Sequence, residues 1–176
     1  MFERAEKWCT HAGAGHWPDA DMLPFGPVRQ RNDKGNWTRF TNDELYTNMT
    51  LWSIIRSPLI LGGELTGFDD FTLKLVTNDE ILKMHKNARH SHQVWRKDVN
   101  GTEHCLWVAQ CCEGGLYAAI FNLGEQNSEI KIPLEDLEIE TPVSLVDLWT
   151  GEKTQADRSI DVKLNAHGAC AYYIHQ

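Results

Sequence analysis

The sequence predicts an α/β region followed by an all-β region, on three observations. Up to about residue 88 the apolar residues recur at helical intervals between loops rich in glycine and proline. Beyond that point they alternate with a period near two, and short turn signals recur at regular spacing. The expected division is therefore residues 1–88, with alternating strands and helices, and residues 89–176, an antiparallel β-sandwich. A chain of 176 residues with 41% hydrophobic residues has room for one ordinary domain or two small ones and enough apolar matter for a core.

Residues 2–9, FERAEKWC, read as the end of a helix. The stretch HAGAGHWPDADMLPFG, His11 to Gly26, is broken by glycines and prolines and carries Trp17, Asp19, Asp21 and Met22. In TNDELYTNMTLWSIIRS, Thr41 and Glu44 stand at capping-box spacing, and Leu45, Met49, Trp52 and Ile55 form one apolar stripe, so a helix starts here. Pro58 ends or follows it. The run PLILGGEL, closed by two glycines, fits a fully buried strand. A second capping box, Thr77 with Glu80, opens the helix TNDEILKMHKN, joined to a turn of helix around Phe71 to Val76. Strand end, helix, strand and helix in that order predict parallel βα units. Two such units supply neither a closed barrel nor a wide sheet, so further units are expected ahead of Met1.

After Asn87 seven strands are expected: HQVWRKD, EHCLWVAQC, GLYAAIFN, SEIKI, VSLVDLW, SIDVKL and ACAYYIH. Asn100-Gly101, Gly114-Gly115, Thr150-Gly151 and His167-Gly168 supply turns between them. Ile160, Val162 and Leu164 alternate with Ser159, Asp161 and Lys163, which predicts a sheet with one wet face. LYAAIFN is apolar on both faces and belongs at a sheet centre. With a two-faced core of its own, this sandwich is expected to be the independently stable unit.

Charge and composition exclude several functions. A net charge of −8 with scattered basic residues disfavours nucleic acid as a partner. No apolar run approaches the roughly 20 residues that span a bilayer, and MFERAEKWC lacks the apolar core of a signal peptide. Five cysteines, with neither C-x-x-C nor zinc-finger spacing, read mostly as buried thiols. His85, His90 and His92 have no carboxylate partners at ligand spacing and are expected to be solvated, so no metal site and no cofactor is predicted.

The chemistry concentrates at Asp19 and Asp21. In an extended segment two residues apart, their side chains point to one face with Cα atoms about 6.5 to 7 Å apart, within reach of one ligand. Carboxylates on one strand approach a sugar from one side, which suits gripping hydroxyls better than cleaving a bond. Asp19 either joins in this or caps the turn after Pro18. Trp17 either offers its flat apolar face to a ligand or packs in the core, and Met22 either touches a ligand's apolar side or fills a gap.

GHWPDADMLPFG, followed by LWSIIRSPLILGGEL, resembles the region around the seventh and eighth strands of the α-galactosidase and α-N-acetylgalactosaminidase family, glycoside hydrolase family twenty-seven. VDLWTGE and NAHGACAYYI are similar to the antiparallel β-domain that follows the barrel in that family. The resemblance implies that residues 1–88 are the last two βα units of a (β/α)8 barrel, followed by the β-sandwich. It implies the C-terminal portion of a retaining exo-α-galactosidase-like hydrolase acting on an α-galactoside-type carbohydrate. The family's nucleophile and acid/base lie on earlier barrel strands, so no catalytic residue is expected in this chain, which alone should be inactive and has the remainder of the barrel as its partner. By the resemblance, Asp21 and Met22 line the sugar subsite, with Trp17 and Asp19 in the same segment. Glu64-Leu65 stands where the family often has Asp-Leu. The alternative reading is a non-catalytic carbohydrate-binding or structural β-sandwich module.

Overall fold

The computed structural model describes residues 1–31, 34–140 and 142–175, with the side chains of residues 29–36 outside the description. Its first region begins with helix α1 (Phe2–Cys9) and continues through an irregular segment to a hairpin of β1 (Pro27–Arg31) and β2 (Lys34–Trp37). Helices α2 (Asn42–Ile54), α3 (Asp70–Val76) and α4 (Asp79–Asn87) follow. The Thr41–Glu44 capping box forms as expected, each side chain bonding the other's backbone N–H, and α2 buries Leu45, Met49 and Trp52.

The second expected box does not form. Asn78 caps α4 by accepting from the Ile81 N–H, while Thr77 closes α3 with its hydroxyl on the Leu73 carbonyl. An Asx side chain next to the helix outcompetes a threonine one residue further out. PLILGGEL is likewise not a fully buried strand. It makes one parallel bridge, Leu23 to Leu61, and leaves Ile60 50% exposed. An apolar run alone does not create a strand; a second neighbour is needed to complete its ladder.

The second region runs from β3 (Ala88–Val99) through β4 (Thr102–Cys111), β5 (Leu116–Asn122), β6 (Ser128–Pro133), β7 (Val143–Asp147), β8 (Lys153–Ala156) and β9 (Ser159–Leu164) to β10 (Ala169–His175). Six strands form one antiparallel sheet in the order β3-β4-β5-β10-β7-β8, and β6 pairs with β9 in a second sheet. All seven expected strands are present. β8, with the polar sequence KTQA, is an eighth that carries no apolar alternation and sits at an edge. β5 is central, as expected, and Ile160, Val162 and Leu164 point inward while Asp161 and Lys163 are exposed.

Two cores flank the large sheet. On one face Leu106, Val108, Ala118 and Ile120 pack against Ile130, Ile132, Ile160 and Val162 of the small sheet. On the other face Trp107, Tyr117, Ala119 and Phe121 share a core with Leu45, Met49 and Trp52 of α2 and with α4. Phe2 of α1 meets Phe121 edge to face at 4.9 Å. The sandwich has one core between its own two sheets and shares the other with the helices of the first region. Its outward sheet face is apolar because the helices of the first region cover it.

Candidate functional site

The segment from Trp17 to Leu23 has almost no ladder hydrogen bonding, so side chains position it. Asp19 Oδ1 accepts from the Asp21 N–H at 2.9 Å, and Asp21 Oδ1 accepts from the Met22 N–H at 2.6 Å. Asp19 therefore caps the turn after Pro18, one of its two readings. Asp21 has a φ of 76°, in the left-handed region that aspartate tolerates better than most residues. This corrects the same-face reading, which assumed an extended backbone throughout. Both carboxylates are exposed, as is Met22 at 55%.

The strained turn is clamped from behind by the end of α2. The buried Trp52 indole N–H donates to the Asp21 carbonyl at 2.8 Å. The Ala20 N–H donates to Ser57 Oγ at 2.9 Å, and Ser57 is wholly buried. The Ser57 carbonyl in turn accepts from His85 Nε2 on α4 at 2.8 Å; a carbonyl only accepts, so Nε2 carries the proton. His85 is thus not the solvated residue expected from sequence. Burial holds its pKa below the ordinary imidazole value, with the Ser57 bond opposing and nearby Arg56 assisting. His90 and His92 are exposed, and among the described residues no group of three potential ligands could hold a metal.

Arg56, itself at a φ of 60°, lays its guanidinium 3.9 Å from the centroid of the Trp17 ring. Such a cation–π contact contributes roughly 0.5–2 kcal/mol. One face of the half-buried Trp17 is therefore covered by Arg56, and the residue is neither a free platform nor a core side chain. Trp17 and Asp19 line a cleft of about 390 Å³ together with Trp8, His11 and His16. Asp21 and Met22 lie beside the Leu23–Leu61 bridge instead. A Cβ at Gly62 would stand 3.2 Å from Met22 Cβ, and one at Gly63 would stand 1.9 Å from the Phe25 carbonyl oxygen, so the two extended segments approach this closely because both positions are glycine. Glu64 points its carboxylate at the Thr66 N–H and hydroxyl and so caps a short 3-10 turn; those bonds hold its pKa below the usual carboxylate range.

The sequence singled out Trp17, Asp19, Asp21 and Met22 as candidates but not Trp52, Arg56, Ser57 or His85, which contact them or their segment. A signal for two of these was present: Arg56-Ser57-Pro58-Leu59 follows the motif segment in the chain and folds back upon it.

Residues 90–174 match the family model described as the alpha galactosidase C-terminal beta sandwich domain. Among curated proteins the chain is 27% identical over 158 residues to alpha-galactosidase D of Emericella nidulans, covering 89% of this chain and 23% of that protein. It is 23% identical over 167 residues to the alpha-galactosidase of Cyamopsis tetragonoloba, covering 38% of it. Among solved structures, a β-L-arabinopyranosidase of glycoside hydrolase family twenty-seven from Geobacillus stearothermophilus aligns over 100% of this chain and 41% of its own, at 40% identity and a TM-score of 0.91. A Bacillus halodurans structure described as an alpha-N-acetylgalactosaminidase aligns at 35% identity and a TM-score of 0.88. The chain spans well under half the length of each of these proteins.

Proposed function

The chain belongs with the C-terminal part of the α-galactosidase-like proteins of glycoside hydrolase family twenty-seven, and from that premise we propose that residues 1–88 are the last two βα units of a (β/α)8 barrel and present one wall of its sugar subsite. Asp21 grips sugar hydroxyls, Met22 meets an apolar part of the ring, and Asp19 and Trp17 support the turn. The catalytic carboxylates belong to earlier barrel strands, whose active-site ends converge on the same face. The reaction is retaining hydrolysis, which needs two carboxyl groups about 5 to 5.5 Å apart on either side of the glycosidic bond. Asp19 and Asp21, two residues apart in one turn, reach a sugar from the same side of the bond and so do not form that flanking pair.

The observation that carries this reading is the clamped left-handed turn at Asp21. Strained backbone at an exposed carboxylate, held by the Trp52 and Ser57 bonds, is a costly arrangement for a residue with no ligand. The substrate class is an α-galactopyranoside or a β-L-arabinopyranoside, sugars that share ring configuration and differ by one hydroxymethyl group. The second is favoured by the 40% identity to a β-L-arabinopyranosidase. A β-sandwich module never attached to hydrolysis has less support, because the same alignment extends through residues 1–88.

The test has two arms. The 176-residue chain alone is mixed with aryl α-galactoside and aryl β-L-arabinopyranoside, and no turnover is expected. The chain is then grafted in place of the matching stretch of the Geobacillus enzyme, where turnover should return. Hydrolysis by the chain alone at an ordinary glycosidase rate, or a folded graft with no turnover on either substrate, would overturn the proposal.

A further inference from the structure

VDLWTGE builds a second cleft that the proposed subsite does not use. It opens where the first turn of α2 meets the β region, has a volume of about 330 Å³, and is lined by Asp43, Tyr46, Asp147, Trp149, Lys163 and Asn165. That volume is at the small end of the range for ligand sites, roughly 300–1,000 Å³, and suits one sugar ring. Asp43 and Tyr46 share a helix face at i and i+3. Asp147 ends β7, Trp149 lies in the turn to β8, Lys163 is on β9 and Asn165 precedes β10.

The cleft is built rather than incidental, because its walls are fixed by bonds from both regions. Trp149 donates its indole N–H to Thr50 Oγ1 at 3.1 Å and its backbone N–H to Asp147 Oδ1 at 2.8 Å. Asn165 Nδ2 donates to Asp43 Oδ1 at 3.1 Å. Tyr46 stands edge to face with Trp149 at 4.6 Å and with Phe71 at 5.6 Å, forming a rigid apolar corner. Burial first, then the Asp43 and Asp147 carboxylates, raise the Tyr46 phenol pKa, so it stays a neutral hydrogen-bonding group at physiological pH.

The lining selects its ligand by exclusion. Two carboxylates face a single ammonium, Lys163, which already pairs with Glu129 at 2.7 Å, so an anion is disfavoured. Among the described residues no three ligating side chains converge, so a metal ion has no cage. A wholly apolar ligand would desolvate Asp43 and Asp147 without return. A neutral ring with many hydroxyls suits what remains open: it donates to the carboxylate oxygens not engaged by Asn165 and Trp149, accepts from the ammonium, and covers the aromatic corner with its C–H face. We propose that this cleft is a second carbohydrate site, separate from Asp21 and Met22, that takes a single neutral pyranose across the junction of α2 and the β-sandwich. It does not depend on the catalytic reading given above.

The experiment is a titration of the ¹⁵N-labelled 176-residue chain with D-galactose, following the Trp149 indole N–H and the Asn165 side-chain amide. Saturable shifts at both reporters are expected, and they should persist in Asp21→Asn. Losing a charge-assisted bond should raise the dissociation constant at least about tenfold in Asp43→Asn. Lys163→Met, at an exposed position that cannot disturb the core, should weaken binding in the same direction and decides the matter if Asp43→Asn loosens α2. Shifts that do not saturate, an equal response to glycerol, reporters that fall silent in Asp21→Asn, or unchanged affinity in Lys163→Met would each overturn the proposal.

Discussion

The two regions of this chain are held together by different means. From Ala88 onward, eight strands among the described residues carry antiparallel ladders in two sheets, and the backbone largely satisfies itself. Between Cys9 and Pro27 regular pairing is limited, among the described residues, to two isolated bridges, Gly13–His16 and Leu23–Leu61. The segment bearing Asp19, Asp21 and Met22 is held by single bonds from side chains that arrive later in the sequence: Trp52, Ser57 and, through Ser57, His85. The comparison teaches that rigidity in the β region comes from its backbone pattern, whereas rigidity at the candidate sugar site is imported from α2 and α4. It also shows the dependence running both ways, since the same helices cover the apolar face of the large sheet.

The largest expected effect comes from separating the regions. Trp107, Tyr117 and Phe121 are at most 2% exposed in the core shared with the helices. Aromatic side chains bury roughly 150–250 Å² each, and at about 25 cal/mol per Å² uncovering them costs several kcal/mol, against a total domain stability of roughly 5–15 kcal/mol. Residues 88–176 alone should therefore give no cooperative thermal transition by circular dichroism. A sharp melt near that of the whole chain would break the comparison.

Next in size is Gly63→Ala. A Cβ 1.9 Å from the Phe25 carbonyl oxygen cannot be accommodated without moving backbone, and overpacking of this kind costs about 1–3 kcal/mol or more. Denaturant titration should show the loss. Gly101→Ala, whose Cβ meets open space although its φ of 82° is also left-handed, serves as the comparison for strain without a clash.

Ser57→Ala sharpens the claim about imported rigidity. It strips the buried Ala20 N–H of its acceptor, and an orphaned buried group costs about 1–3 kcal/mol. Amide hydrogen exchange should accelerate at Ala20 and its neighbours while the β4–β5 ladder stays protected. Equal acceleration in both places would mean that the segment is not separately held.

The smallest effect is a pH dependence. His85 and His104 both have pKa values lowered by burial, so the unfolded chain binds protons that the folded chain refuses. Their contribution is fully present above the unfolded value of about 6.5 and is lost as pH falls through the lowered folded value. The melting temperature should drop between neutral and mildly acidic pH, and His85→Gln should flatten that slope. An unchanged slope would show that His85 is not a buried neutral group.

Much of the fold was legible because its signals are local. The Thr41–Glu44 box, the alternation in β9 and the doubly apolar β5 each declare themselves within a few residues. What failed was decided elsewhere in the chain. Asn78 displaced Thr77 as a cap because cap choice depends on where the preceding helix ends. KTQA pairs as β8 because β7 offers it an edge, not because its residues favour a strand. PLILGGEL looks like a core strand but has one bridge, since parallel pairing depends on neighbours that composition does not reveal. At the site, residue types pointed to Asp19 and Asp21, but the left-handed φ of Asp21 and the bond from Trp52 that holds its carbonyl lie beyond any spacing rule. The family resemblance supplied the proposed role of Asp21 and Met22; the clamp behind them came from the structure.

The most direct test of the sugar-gripping role is kinetic, in the graft of this chain onto the Geobacillus β-L-arabinopyranosidase. If Asp21 grips the sugar as proposed, replacing it by Asn should lower kcat/KM by about ten- to several-hundred-fold through lost charge-assisted bonds, with little change in melting temperature. Asp19→Asn, which weakens the turn, should instead act mainly on stability. An Asp21→Asn enzyme with unchanged kcat/KM, beside an Asp19→Asn enzyme that melts normally but has lost activity, would contradict the account and exchange the two roles.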